Sequence, residues 1–202
     1  MNNFKIGIMG GTFNPVHFGH LILAENAYEK FDLDTVIFIP NGQPPHKSDE
    51  KILSKSDRLK MVNMAIDDNK HFNVSTIEVD KKSYSYSYET LEALKKENPN
   101  TEYYFIIGAD SLYNIHKWKN PEKLLSLCQL IVASRGEIDR HSIENHKPNI
   151  ESFYKTKIHI LDMPIIEISS SDIRNRVKEG KTIKYFVPKD VEHYIYMNNL
   201  YK

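Results

Sequence analysis

The sequence predicts an α/β fold: a doubly wound, Rossmann-like parallel sheet with helices on both faces, in a single domain. Three observations carry that expectation. Apolar runs of strand length alternate with longer segments of helical period, the pattern of successive βαβ units. Several of those runs, 103–109 and 129–134 among them, are continuously apolar, as strands buried on both faces are. The segments that look chemical, 10–20, 41–47, 108–118 and 134–136, each follow a strand. Sheets of this kind bind ligands there, beyond the carboxyl ends of the strands.

A first strand is expected over 4–10, then a helix over 19–31 with Leu21, Ala24, Ala27 and Tyr28 on one side. Residues 35–40 read as a second strand, ended by Pro40-Asn41-Gly42. A helix over 54–69 opens with a Ser54…Asp57 capping box and carries Leu59, Val62, Ala65 and Ile66. A third strand near 72–78 precedes a helix from about 88 to 97. Strands over 103–109 and 129–134 bracket a helical stretch, 111–127, that is interrupted around Trp118 and Pro121. Residues 137–156 are polar and charged and read as a surface loop plus a helix. From about 168 one or two helices complete a domain that spans 1–202.

Composition narrows the function. Lys and Arg together number 27, as do Asp and Glu, so the net charge is zero with His neutral. That balance argues against a broad basic surface for nucleic acid. Cys128 is the sole cysteine, which rules out an intrachain disulfide and fits a reducing compartment. No basic segment followed by an apolar one opens the chain, and runs such as 36–39 are far too short to cross a bilayer. The expectation is a cytoplasmic protein with small-molecule partners, no nucleic acid and no membrane, and with room for a homo-oligomer.

The first strand runs into Gly10-Gly11-Thr12-Phe13-Asn14-Pro15-Val16-His17-Phe18-Gly19-His20. Paired glycines let the backbone turn sharply and let a ligand approach amides without meeting a Cβ. Pro15 stiffens the loop, and Gly19-His20 open a helix whose unpaired amides make a phosphate site. His17 and His20 lie three apart, so both rings can face one ligand and donate to its oxygens. The glycine spacing does not fit G-x-G-x-x-G, and no Gly-Lys-Ser/Thr ends the loop. Zinc would want further ligands at recognisable spacing, which the lone Cys128 does not supply. A plain turn bearing two surface histidines is the bland alternative, and the length of the string argues against it.

That string is similar to the G-G-x-F-x-P-x-H-x-G-H signature of the HxGH nucleotidyltransferases. The chain as a whole resembles the bacterial nicotinate-nucleotide adenylyltransferases within that superfamily. The likeness rests also on Pro40-Asn41-Gly42…Pro45-His46-Lys47, on Ser85-Tyr86-Ser87-Tyr88-Glu89-Thr90-Leu91, on Gly108-Ala109-Asp110-Ser111 with Trp118, and on Ile168-Ser169-Ser170-Ser171-Asp172-Ile173-Arg174. It implies transfer of the AMP moiety of ATP to nicotinate mononucleotide, giving deamido-NAD and pyrophosphate, with Mg²⁺ accompanying ATP as co-substrate.

The resemblance assigns ATP to Gly10, Gly11, Thr12, Phe13, His17, Gly19 and His20, with Ser170, Ser171 and Arg174 on the β- and γ-phosphates. Read without it, Ser169 to Arg174 is a capped helix start whose hydroxyls, amides and arginine also suit a triphosphate. Trp118 is implied to stack on the nicotinate ring, Asp110 to meet a ribose, and Ser87 with nearby amides to read the carboxylate. Asn41, His46 and Lys47 fall to the acceptor's phosphate, with Arg135 a further candidate for the same anion. Lys119 departs from relatives, which often carry an aromatic residue after the tryptophan. His17, His20, Lys47 and Arg174 are the expected catalytic groups, all acting as donors to charge; no protein-bound metal is expected. An amide-preferring enzyme, a pantetheine-phosphate adenylyltransferase and a silent nucleotide-binding module remain as alternatives.

Overall fold

The computed structural model describes residues 4–42, 52–81 and 83–202. Six parallel strands form one sheet in the order β3-β2-β1-β4-β5-β6. They are β1 (Lys5–Gly11), β2 (Thr35–Pro40), β3 (Phe72–Val74), β4 (Glu102–Gly108), β5 (Gln129–Arg135) and β6 (Ile158–Met163). β1 is central, with Ile8 opposite Ile37 of β2 on one side and Phe105 of β4 on the other. The chain winds outward from β1 to β3, then returns to β4 and winds the other way. That reversal opens a crevice beyond the ends of β1 and β4.

Both faces of the sheet are covered, which is why its strands are continuously apolar. Along β4, Tyr103, Phe105 and Ile107 belong to one core cluster, Tyr104 and Ile106 to the other. The first face meets α3 (Ser87–Glu97), α4 (Ala109–Tyr113), α5 (Pro121–Leu127) and α6 (Glu137–Tyr154) through Leu91, Leu112, Leu124 and Ile143. The second meets α1 (Phe18–Lys30), α2 (Lys55–Ile66), α7 (Ser170–Lys178) and α8 (Lys189–Met197) through Ala24, Val62, Ile173 and Val191.

The helix starts follow local chemistry. Ser54 Oγ accepts from Asp57 N at 3.1 Å and donates to Asp57 Oδ2 at 2.6 Å, fixing the entry to α2. Ser169 Oγ accepts from Asp172 N at 3.1 Å at the entry to α7. Between α4 and α5 a 3-10 turn, Ile115–Lys117, presents Trp118. This is the interruption expected inside 111–127.

Three expectations need correcting. Residues 137–154 are one helix, not a loop plus a helix; α6 looks unhelical because Ile143 is its one fully buried residue and Pro148 sits inside it. β6 is absent from the sequence reading altogether. It pairs only with β5, and its apolar run is broken by His159, which hydrogen-bonds Gln129, and by Asp162, which pairs with Arg140. β3 stops at Val74, before a turn in which Thr76 Oγ1 donates to Asp80 Oδ2 at 2.7 Å.

Candidate active site

The loop after β1 is shaped from behind by Phe13. This residue takes a left-handed φ of 49° and is 2% exposed. A Cβ on Gly11 would stand 3.1 Å from its ring, and the ring meets His20 edge-on at 5.0 Å between centroids. The Phe13 side chain props the loop from the core side and does not line the cavity.

His17 caps α1 and is itself buried, 7% exposed. Gly19 makes room for it: a Cβ there would lie 3.0 Å from His17 Nδ1. The rings of His17 and His20 stack with centroids 3.7 Å apart, and His17 N donates to His20 Nδ1 at 3.2 Å. Because Nδ1 is the acceptor, neutral His20 carries its proton on Nε2. Burial, and then the nearby charge of Arg135, holds the His17 pKa at about 4. Burial, and then the proximity of His17, holds His20 well below the ordinary imidazole range. Both rings are therefore neutral donors at pH 7. His17 Nδ1 is buried and makes no hydrogen bond among the described residues.

These groups line a cavity of about 670 Å³ at the β1–β4 crevice, a size suited to small molecules. Gly10, Gly11, Thr12, His17, Gly19, His20 and Ser170 line one part, and Asn41, Ser87, Trp118 and Arg135 also face it. Trp118 is half-buried and rests edge-on against Phe105 at 5.9 Å, with an interplanar angle of 79°. Asp110 is exposed in the first turn of α4 and does not line the cavity; its neighbour Ser111 does. His46 and Lys47 lie outside the described residues.

The start of α7 is tied directly to the first loop. Ser170 Oγ donates to Pro15 O at 2.8 Å, and Arg174 Nη1 donates to Asn14 O at 3.0 Å. Arg174 Nη2 also donates to Ser171 Oγ at 3.1 Å. Arg174, steadied by Ser171, therefore braces the loop, and neither residue lines the cavity.

Sequence reasoning missed three supports. Arg58 is 1% exposed, and its guanidinium donates to Thr12 O, Asn41 O, Gly42 O and Leu53 O at 2.7–3.2 Å. The available signal was its position on the apolar stripe of α2, four residues before Val62. Glu78 lines the cavity, and Thr90 Oγ1 donates to its carboxylate at 2.7 Å. Burial raises the Glu78 pKa. A Cβ on Gly42 would stand 2.3 Å from Glu78 O and 2.9 Å from Ser85 Oγ, so only glycine lets these segments meet. The third support is 163–168, where Met163, Pro164, Ile166 and Ile168 supply an apolar wall between β6 and α7.

The model of the cytidylyltransferase-like family matches residues 8–176, from β1 into α7. The chain belongs to that family. The match takes in both the first loop and the helix start that braces it. A Desulfitobacterium hafniense protein named "Probable nicotinate-nucleotide adenylyltransferase" is 46% identical over 199 residues, 98% of this chain and 96% of its own. One of the same name from Lachnoclostridium phytofermentans is 42% identical over 197 residues, 98% of each chain. A solved Plasmodium falciparum nicotinic acid mononucleotide adenylyltransferase, complexed with NaAD, superposes with a TM-score of 0.80 over 98% of both chains. At 22% identity that likeness speaks for the fold.

The buried state of His17 has a pH signature. Its pKa drops from 6.5 in the unfolded chain to about 4 in the fold, so between those values the unfolded chain binds more protons. Stability is then full above pH 6.5 and falls as pH drops towards 4, by up to about 3 kcal/mol. His17→Gln should flatten the loss of urea-unfolding free energy between pH 7 and pH 5. Equal slopes for variant and wild type would show that His17 is not held neutral.

Proposed function

We propose that this chain is a nicotinate-nucleotide adenylyltransferase: it joins the AMP moiety of ATP to nicotinate mononucleotide and releases pyrophosphate. One observation carries the reading. A single cavity at the switch point brings a phosphate-binding loop with two neutral histidines to a half-buried tryptophan and the start of α3. Two nucleotides can meet there, one on the loop and one against Trp118. The lone buried Cys128 suits a cytoplasmic enzyme.

The acceptor's phosphate monoester, with a second pKa near ~6, is largely dianionic at neutral pH. One of its oxygens attacks the α-phosphorus of ATP, the bond from that phosphorus to the bridging oxygen breaks, and pyrophosphate leaves. No general base is required, so the protein's work is alignment and stabilisation of charge. His20, with its proton on Nε2, donates to the transferring phosphoryl group, and His17 does the same from the stacked position. Ser170 and the amides of Gly10, Gly11 and Thr12 meet the polyphosphate, with Ser171 and Arg174 beside them at the start of α7. Lys47 and His46 complete the acceptor's phosphate site with Asn41.

Hydroxyls, amides and neutral imidazoles suit phosphate oxygens better than a bare cation. Among the described residues no group of three or more His, Cys, Asp or Glu side chains could hold an ion. The Mg²⁺ proposed to accompany ATP would, when bound, supply charge neutralisation for the leaving pyrophosphate.

Acid is favoured over amide by Lys119. It lines the cavity beside Trp118 and makes no ion pair among the described residues. A cation there attracts the nicotinate carboxylate and does nothing for a carboxamide. Asp110, next in sequence to the cavity-lining Ser111, is proposed for a ribose hydroxyl.

Three measurements of pyrophosphate release test the reading. His20→Ala should lower kcat by about 10²–10³-fold, the usual cost of losing one preorganised donor. Retention of more than about a tenth of wild-type kcat, a loss under ~1.4 kcal/mol, would remove His20 from the chemistry. Arg174→Ala should raise the KM for ATP more than that for the mononucleotide, because Arg174 braces the ATP loop. An equal or larger effect on the acceptor would place α7 beside the wrong substrate. Finally, nicotinate mononucleotide should exceed the amide by at least ~10²-fold in kcat/KM, since the Lys119 cation and the donors at Ser87 pair with a carboxylate, and a donor left mismatched by the carboxamide costs ~1–3 kcal/mol. Trp118→Ala should weaken both and leave their ratio nearly unchanged, because stacking reads the ring and not its substituent. Comparable values for the two mononucleotides would falsify the nicotinate assignment alone.

A further inference from the structure

After α8 the chain turns back on itself. Asn199 and Tyr201 take left-handed φ values of 51° and 65°, and Leu200 N donates to Ile195 O at 3.0 Å. Leu200 and Tyr201 thereby pack on the apolar face that α1, α2, α7 and α8 share. The ring of Tyr201 is partly buried, and its hydroxyl donates to Asn14 Oδ1 at 3.0 Å, across 187 positions of sequence.

Asn14 is the pivot of the first loop. It is 3% exposed and stands three residues before His17. Its Oδ1 also accepts from Leu53 N at 3.3 Å, at the entry to α2, while its carbonyl accepts from Arg174 Nη1 at 3.0 Å. The side-chain amide thus fixes where the loop sits, and the carbonyl fixes where Arg174 sits. We infer that Tyr201 is a positioning residue for the ATP loop, acting through Asn14 and touching neither substrate. Burial pushes the phenol's pKa up against the opposing charges of Arg174 and Arg58. The hydroxyl is therefore a donor at every working pH, and the tie is a fixed constraint.

A plain packing role is the competing account, and one substitution separates the two. Tyr201→Phe keeps the ring in its place and removes only the hydroxyl. The inference rests on the ATP reading of the loop, so ATP affinity by calorimetry is measured beside pyrophosphate release.

The expected result is a five- to tenfold fall in kcat/KM for ATP, about what one lost hydrogen bond is worth. The dissociation constant of ATP should rise by a similar factor, the KM for nicotinate mononucleotide should stay within twofold, and the thermal midpoint should be nearly unchanged. Unaltered ATP constants, or equal changes for both substrates, would overturn the role of Tyr201 and leave the ATP reading standing. A wild-type protein that binds no ATP would overturn both. Tyr201→Leu should match Tyr201→Phe in ATP affinity while losing thermal stability as well, so that packing and positioning appear on separate readouts.

Discussion

Arg58 is a buried cation with no ion pair among the described residues. Backbone dipoles take the place of water around it: carbonyls of Thr12, Asn41, Gly42 and Leu53 all point at its guanidinium. A charge so placed is tolerable only while its donors are satisfied, because an uncompensated buried charge costs several kcal/mol. The three segments that supply those carbonyls are the turn after β1, the turn after β2 and the entry to α2. Their relative positions are fixed by one planar fork. Two of them, the first loop and the segment of Asn41, are walls of the same cavity, so the geometry of the site depends on a residue that never faces it.

From that constraint the electrostatics follow. With the loop held, His17 and His20 are pressed together and out of water, and both lose their proton well before neutrality. A neutral pair costs the fold less than a charged pair would, yet it still offers donors to an anion. Under the proposed function, an entering polyphosphate would meet these N–H donors already in place. Arg135 contributes twice, as a wall of the cavity and as a charge that adds to burial in keeping His17 neutral.

What was legible in the sequence, and what was not, divides along range. β1, β2, β4 and β5 were readable because a strand covered on both faces must be apolar throughout, and that is a local property. The first loop was readable because turn, rigidity and helix entry all sit within one short string. β6 escaped because an edge strand can carry His159 and Asp162, whose partners lie on Gln129 and Arg140. α6 escaped because its exposed faces dilute the period that a single buried Ile143 would signal. Phe13 was assigned to the ligand because its motif lies in a ligand loop. Its left-handed backbone, which turns the ring inward, leaves no mark in composition. Arg58 hid in plain view, a charge on the buried stripe of α2, because periodicity alone says nothing about which carbonyls will converge on it.

The two halves of the cavity differ in the same way, and this bears on how the site comes together. The half proposed for the acceptor draws Asn41, Glu78, Ser85, Ser87, Trp118 and Lys119 from the middle of the chain. Its close contacts, such as Gly42 against Glu78 and Ser85, join neighbouring connections of the sheet. The half proposed for ATP is otherwise. Its loop lies near the start of the described chain, but Ser170, Arg174 and Tyr201 hold it from 155 to 187 positions away. Contacts of that range carry a larger loop-closure cost, and they form only when α7, α8 and the turn beyond them have docked on the sheet. Loosening those helices would remove three of the loop's holds, on Pro15 O, Asn14 O and Asn14 Oδ1, while those from Arg58 and Leu53 stay. The loop proposed for ATP is therefore braced by α7 and by the turn after α8 as well as by α2, whereas the half proposed for the acceptor rests on nearer contacts.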